Sequence, residues 1–146
     1  MKMISYAAVL TMLLFLAGPV QAGSPVGHWK TFDDETKKAK SIVQIYEADK
    51  KFYGKVVEIL TPGEENKICE KCPGKDRDKP IKGLIILREL VADNGGFSGG
   101  TILDPNNGKT YSCKMVLENE GSKLKVRGFL GFSLLGRTQY WQRVHQ

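Results

Sequence analysis

The sequence predicts an all-β protein, built as a single small antiparallel up-and-down β-barrel of about eight strands. Short segments in which apolar and polar residues alternate recur along the chain, which is the period of a half-buried strand. The connections between them are mostly of hairpin length and rich in Gly, Asn and Asp, which favours antiparallel neighbours. Closing such a sheet removes its two edges, which otherwise can pair with other chains. An open sandwich is the alternative architecture.

Residues 1–22 predict a secretory signal peptide that precedes the folded domain. They contain one charged residue, Lys2, followed by an apolar run over residues 7–17 and a cleavage region with small residues that ends at Ala22. The run is shorter than the ~20 apolar residues that span a bilayer, so we expect no transmembrane anchor. Residues 23–146 then form one exported barrel domain.

The size and charge of this domain limit the classes of function. Removal of 22 of the 146 residues leaves 124, enough for one hydrophobic core. The formal net charge of +6 becomes +5 without Lys2, because residues 1–22 hold no acid. The basic residues are scattered among apolar and acidic ones, which is typical of a solvated surface. Nucleic acid is therefore not an expected partner.

The first predicted strand begins at Gly27 and carries Trp29. A turn of mixed charge follows this strand. Its adjacent carboxylates, Asp33, Asp34 and Glu35, stand close to lysines in the sequence, and such groups are usually solvated. We therefore assign no chemistry to this turn.

The second and third predicted strands, residues 40–46 and 51–60, form a hairpin, because a tight polar connection joins two segments rich in β-branched residues. Gly54 is a candidate for a bulge or for a place where another backbone comes close. The longest irregular segment, residues 61–80, follows. Its prolines, glycines and charges show no apolar period, so we expect it to lie outside the core.

Five further strands complete the predicted barrel. Asn94 and Gly95 form a turn, since asparagine followed by glycine tolerates positive φ at both central positions. The last two strands form a hairpin, and we expect the final strand to lie beside the first. The five predicted strands are residues 81–90, 97–103, 110–118, 123–128 and 137–144.

Several motifs resemble a known bacterial family, and in matching order they cover essentially the whole expected mature chain. They are GHWKTFDDET at residues 27–36, CEKCPG at 69–74, DKPIKGLIIL at 78–87, GGTILDPNNGKTYSCKM at 99–115 and KVRGFLGFSLLGRTQYWQRV at 125–144. Together they resemble the secreted bacterial family DUF 2147. The resemblance implies a small barrel of lipocalin or calycin type, periplasmic or secreted in a bacterium, with no agreed enzymatic activity.

The resemblance to lipocalins rests on two features. One is a Gly-x-Trp motif in the first strand, here Gly27-x-Trp29, and the other is an arginine in the last strand. In such barrels the arginine lies across the face of the tryptophan, a cation–π contact of about 0.5–2 kcal/mol. Arg137 and Arg143 are both candidates for this structural role. The resemblance thus implies that the first and last strands meet at Trp29.

Cys69 and Cys72 form a C-x-x-C pair, and we favour a structural disulfide between them. Pairing of either one with Cys113 stays open, because three cysteines do not determine one connectivity. A redox role is disfavoured, since a reactive thiolate is best stabilised at a helix N-terminus and this segment shows no helix pattern. A zinc site is disfavoured because Cys113 lies in the apolar alternation of a strand.

No grouping of side chains predicts catalysis. The two histidines, His28 and His145, stand at the extremes of the folded chain, so no Ser-His-Asp arrangement can be assigned. The turn around Asn107 has the spacing neither of a phosphate-binding loop nor of an EF-hand. We therefore expect no enzyme, no catalytic residue, no metal and no cofactor.

The best remaining role is non-covalent binding of a small apolar or amphipathic molecule inside the barrel. The side chains expected to face inward and line the pocket are Trp29, Tyr111, Met115, Val126 and Tyr140. Since glycine leaves room, the pocket is expected to open near Gly54, Gly83, Gly99 and Gly100. The alternative is an envelope or extracellular protein-interaction module with a filled barrel and no ligand. The sequence identifies neither the ligand nor a protein partner.

The mature protein should begin at Gly23, because the small residues Val20 and Ala22 flank the expected cleavage site. The intact mass of the protein purified from the cells that make it should correspond to residues 23–146. A mass that still includes residues 1–22 would contradict the signal peptide.

Overall fold

The computed structural model describes residues 23–132 and 135–145, and these residues form a closed barrel of eight antiparallel strands. Each strand pairs with the next one in the chain, and the last pairs with the first. The predicted fold class is therefore confirmed. The predicted signal peptide, residues 1–22, lies outside the described residues. The strands are β1 (Gly27–Phe32), β2 (Ala39–Ala48), β3 (Lys51–Ile59), β4 (Ile85–Asp93), β5 (Gly96–Asp104), β6 (Lys109–Glu118), β7 (Lys123–Phe129) and β8 (Gly136–Val144), with short 3₁₀ helices at Gly74–Asp76 and Asn119–Gly121.

The barrel closes where β1 meets β8. The pairing runs from His28 to Lys30 on β1 and places Trp29 opposite Arg143. The guanidinium carbon of Arg143 lies 4.3 Å from the centre of the Trp29 ring, which is a cation–π contact. Of the two candidate arginines, Arg143 therefore takes the position across the tryptophan, whereas Arg137 lies near the other end of β8.

Arg143 also donates to three backbone carbonyls, in two segments, at this end of the barrel. Its Nε donates to the carbonyl of Gly121 at 2.7 Å, and its two Nη atoms donate to the carbonyls of Val26 and Ser24 at 2.8 Å each. The indole of the stacked tryptophan donates to the carbonyl of Pro25 at 2.8 Å. Hydrogen bonds from a charged donor are the stronger kind. We call this the closed end of the barrel and the opposite end the open end.

Gly54 lies at a bulge, as predicted. The register of β3 against β4 shifts on both sides of Gly54. A Cβ at this position would stand 2.8 Å from the Cδ1 of Leu87 on the neighbouring strand. The two strands therefore come too close here for a larger residue.

β4 begins at Ile85, later than the predicted residue 81. Gly83 has a φ of +101°, which interrupts the extended chain. Its N–H donates to the carbonyl of Val56 at 2.7 Å, and the N–H of Val56 donates to the carbonyl of Leu84 at 2.9 Å. The chain is thus held against β3 in a bend before β4 starts, and Ile81 is buried from this bend.

The turn between β4 and β5 has the predicted conformation, with φ angles of 45° at Asn94 and 80° at Gly95. Two successive positive φ angles define the type I′ turn that matches the twist of a hairpin. The hairpin of β2 and β3 uses the same conformation at Asp49 and Lys50, with φ angles of 51° and 64°. Both turns were predicted from the sequence, but the positive φ angles were predicted only for the pair that contains glycine.

On β8 the buried aromatic residue is Trp141 and not Tyr140. Trp141 is 1% exposed and pairs with buried Leu124 on β7. Tyr140 is 48% exposed, and the Nζ of Lys123 lies 5.1 Å from the centre of its ring. The expectation that Tyr140 faces inward is therefore wrong. Successive side chains of a strand point to opposite faces, and the larger indole takes the inner one.

Residues 60–84 join β3 to β4 and contribute to the core, which corrects the expectation that the irregular segment of residues 61–80 lies outside it. Cys69 and Cys72 form a disulfide with their Cα atoms 5.4 Å apart, so the favoured pairing is confirmed. Both cysteines and Ile81 belong to the cluster of buried residues. The N–H of Cys69 donates to the carbonyl of Lys79 at 2.8 Å, which satisfies a backbone group that would otherwise be costly to bury.

Replacement of Trp29 by alanine should lower the free energy of unfolding by about 3–5 kcal/mol, which is the cost of truncating a buried aromatic side chain. Trp29 is fully buried and carries the contact with Arg143. Tyr140→Ala, on the outer face of the barrel, is the matched control and should cost under about 1 kcal/mol. Urea unfolding followed by circular dichroism measures both values. An unchanged unfolding midpoint for Trp29→Ala would contradict this account of the closure.

Candidate functional site

A cavity of about 330 Å³ lies at the open end of the barrel. All eight strands contribute to its wall, because the C-terminal ends of the odd-numbered strands and the N-terminal ends of the even-numbered strands meet there. The barrel is therefore not filled along its whole length. Apolar side chains that line the cavity include Val56, Ile59, Ile81, Ile86, Ile102, Val126 and Trp141.

The segment of residues 60–84 supplies part of the cavity rim. Glu64, Lys67 and Ile81 from this segment line the cavity. The Nζ of Lys67 lies 3.5 Å from Oε1 of Glu64, so these two charges compensate one another. The pair is half-exposed and contributes little to stability.

The disulfide holds this segment against the turn between β5 and β6. The sulfur of Cys69 lies 3.4 Å from the carbonyl oxygen of Pro105. In the same turn Gly108, with a φ of +70°, lies directly against the backbone of Lys71, where a Cβ would have no space. The rim is thus built from two connections that pack on each other.

Among the residues between β7 and β8 that the structure describes, three large apolar side chains are exposed. Leu130 is 53% exposed, Phe132 82% and Leu135 71%. The N–H of Leu130 donates to the carbonyl of Leu135 at 3.0 Å, and both residues also line the cavity. The open end therefore has an apolar patch beside its mouth, the kind of surface that marks a binding region.

A chain of polar contacts extends along one wall of the cavity, from buried Trp141 to Asp104 at the end of β5. The indole of Trp141 donates to Oε1 of Gln139 at 3.1 Å, and Nε2 of Gln139 lies 3.1 Å from each carboxylate oxygen of Asp34. Arg137 joins Asp34, with Nε 3.0 Å from Oδ2, to Asp104, with Nη2 3.3 Å from Oδ2. The network therefore links β8 to the β1–β2 turn and to the end of β5.

The role of Asp34 was missed at the level of sequence, where the turn of adjacent acids was expected to be solvated. Its carboxylate is the acceptor that Gln139 and Arg137 share. No local pattern marks this partnership, because 105 positions of chain separate Asp34 from Gln139. Only the closure of β8 onto β1 brings them together.

A second polar group lies on the wall formed by β1 and β2. The hydroxyl oxygens of Thr31 and Ser41 are 2.7 Å apart, and both residues are buried while they line the cavity. Lys40 lines the cavity beside them. It is the extra residue of a bulge, since Thr31 pairs with Ser41 and Phe32 pairs with Ala39. Such a bulge can redirect a side chain to the other face of a sheet.

The five residues predicted to line a pocket lie in three different places. Tyr111 and Val126 line the cavity, so their contact with a ligand stays a prediction that the geometry allows. Trp29 and Met115 are buried in the core and do not line it. Tyr140 lies on the outer face.

The four glycines expected to mark the opening do not line the cavity. At Gly100 the space for a side chain is taken by the backbone of Arg88 and Leu90 on β4, just as Leu87 takes it at the bulge on β3. Gly54 and Gly100 therefore mark close approach of a neighbour and not an empty volume, whereas Gly83 and Gly99 have positive φ angles of 101° and 79° and no close neighbour at the Cβ position. The four positions are Gly54, Gly83, Gly99 and Gly100, whereas Gly128 does line the cavity.

Across residues 23–132 and 135–145, no group of three or more His, Cys, Asp or Glu side chains is placed to hold a metal ion. Cys113, the free cysteine in this part of the chain, is buried in β6, and burial raises the pKa of its thiol to about 12. Among the same residues there is no helix long and apolar enough to cross a membrane.

The described residues define a lipocalin-like barrel: eight antiparallel strands, one end closed by the tryptophan–arginine contact and a cavity at the other. A solved structure of similar fold is protein HP1028 from the human pathogen Helicobacter pylori, described as belonging to the lipocalin family. The two chains are 24% identical, the match covers 84% of each, and the TM-score is 0.74. At this level of identity the likeness concerns the fold alone.

The chain belongs to the family DUF2147, described as an uncharacterized protein conserved in bacteria, and the match covers residues 27–143. This confirms the resemblance seen in the five sequence motifs. No curated protein matches the chain.

Asp34→Ala should lower the free energy of unfolding by about 1–2 kcal/mol, because Arg137 and Gln139 then lose a shared charged acceptor that is only partly exposed. Glu35→Ala removes the neighbouring, exposed carboxylate and should stay within about 0.5 kcal/mol of the wild type. Urea unfolding followed by tryptophan fluorescence gives both values. Equal losses for the two variants would show that the polar network does not stabilise the open end.

Proposed function

We propose that this protein is an exported, non-catalytic binding protein that holds a small apolar or amphipathic molecule in the cavity at the open end. The observation that carries the proposal is the cavity itself, whose volume of about 330 Å³ and largely apolar wall suit a small ligand. Pockets for small molecules typically have about 300–1,000 Å³ and a few oriented polar groups. The polar chain from Trp141 to Asp104 is such a set of groups.

The physical reason for binding is the removal of apolar surface from water. Each Å² of apolar surface that ligand and wall bury together contributes about 25 cal/mol. The wall is held in place without the ligand, since the segment of residues 60–84 is tied by its disulfide and packed on the next turn. A preformed site loses little conformational entropy when it binds.

Export is supported by the signal-like residues 1–22 and by the Cys69–Cys72 disulfide, because disulfides persist in oxidising compartments. The absence of catalysis is supported by the chemistry of the wall. In the described part of the chain no histidine or cysteine lines the cavity, and the lining carboxylates Glu64 and Asp104 are paired with cations.

The second candidate function is a protein-interaction module of the envelope or the extracellular space. The exposed side chains of Leu130, Phe132 and Leu135 favour it, since such patches often form contacts with a partner. This alternative included a barrel whose interior is filled by side chains, and the observed cavity does not agree with a filled interior.

The uncharged dye N-phenyl-1-naphthylamine should bind the wild type saturably, with one site for each barrel. Ile102→Trp places an indole in the cavity and should weaken dye binding at least tenfold, while overpacking costs about 1–3 kcal/mol of stability. Val116→Trp adds the same indole at an exposed position of β6 and is the matched control. Fluorescence titration measures the affinities and urea unfolding the stabilities. No saturable binding to the folded wild type would favour the interaction module.

A further inference from the structure

The charges that line the cavity are not all compensated. Arg137 pairs with two carboxylates, and Lys67 pairs with Glu64. Lys40 lines the same cavity, yet among the described residues no carboxylate forms an ion pair with it. One cation of the wall is thus left without a direct counterion.

Asp33, the acid whose pKa the charge of Lys40 affects, does not take that place. Asp33 accepts hydrogen bonds from the backbone N–H groups of Thr36 and Glu35, at 2.8 and 3.0 Å. Hydrogen bonds from Thr36 lower the pKa of Asp33 most, and the charge of Lys40 adds a smaller effect over distance. The carboxylate is therefore occupied in its own turn, while the bulge directs Lys40 toward the cavity.

The hydroxyl pair beside Lys40 has a hydrogen to spare. Thr31 and Ser41 carry two hydroxyl hydrogens, and one of them is used in the 2.7 Å bond between their oxygens. If Ser41 donates in this bond, the hydroxyl of Thr31 donates to the carbonyl oxygen of Ser41 at 3.4 Å, a long and weak contact. When Thr31 donates to Ser41, the hydroxyl of Ser41 is free to donate to a ligand.

We propose that Lys40, with the hydroxyl pair of Thr31 and Ser41, forms a subsite for the carboxylate head of an amphipathic ligand whose apolar part lies against the floor of the cavity. An ammonium and a hydroxyl are both donors, so the group that suits them accepts hydrogen bonds and carries a negative charge. The aliphatic floor, with Ile86 and Val126, suits a hydrocarbon or aromatic body. This inference deepens the function proposed above and rests on it.

The test compares decanoate with decanol, which share the chain and differ in the charge of the head. Both are measured by displacement of N-phenyl-1-naphthylamine, below the concentration at which either ligand forms micelles. Wild type should bind decanoate more tightly than decanol. Lys40→Gln should weaken decanoate about tenfold, the effect of losing one charge-assisted hydrogen bond, and change decanol by less than about twofold.

Two further variants separate the charge of Lys40 from its structural effect. Lys40→Arg keeps the positive charge and should restore most of the preference for decanoate, whereas Lys38→Gln removes an exposed lysine that does not line the cavity and should change nothing. The preference should also shrink as salt is added, since the head-group contact is electrostatic.

The outcomes distinguish the two proposals. If decanol and decanoate bind and Lys40→Gln weakens neither or both equally, the carboxylate subsite is overturned while the binding function stands. If Lys38→Gln has the same effect as Lys40→Gln, the preference reflects net charge and the subsite is overturned as well. If neither ligand nor the dye binds folded wild type, both proposals fail.

Discussion

The pairing of β1 with β8 around Trp29 and Arg143 is the contact on which the rest of the molecule depends. It joins residues at the two ends of the described chain, and it converts a sheet with two free edges into a barrel. Arg143 then ties three backbone carbonyls to one guanidinium, so the closed end is both packed and hydrogen-bonded. The cavity depends on the same closure, because its wall includes Thr31 from β1 and Gln139 from β8.

Much of the fold could be predicted from local signals. Alternation located the eight strands, since a strand buried on one face must place apolar residues on every second position. The Asn94-Gly95 turn was predicted from the positive φ angles that asparagine and glycine tolerate, and Gly54 was a candidate for a bulge or a close approach because it has no side chain. The pairing of Cys69 with Cys72, favoured from the sequence while pairing with Cys113 stayed open, agrees with the structure.

The site could be predicted much less well, because it depends on contacts between distant residues. Alternation on β8 shows that Tyr140 and Trp141 face opposite ways but not which one faces inward, and that choice requires the neighbouring strand. The bulge that exposes Lys40 to the cavity is a register shift of one residue, and the amino-acid composition of the strand does not predict it. The cavity is the volume that remains after all side chains have packed, so no single residue in the sequence predicts it.

The buried thiol of Cys113 has a consequence for the covalent chemistry of the chain. Exchange between a thiol and a disulfide begins with attack by a thiolate. Burial raises the pKa of the Cys113 thiol to about 12, so at pH 7 the thiol form strongly predominates over the thiolate. The folded barrel therefore keeps its odd cysteine from attacking the Cys69–Cys72 bond or a second molecule. The three sulfurs are kept in one arrangement by folding, which makes the disulfide at the cavity rim durable while the barrel stays closed.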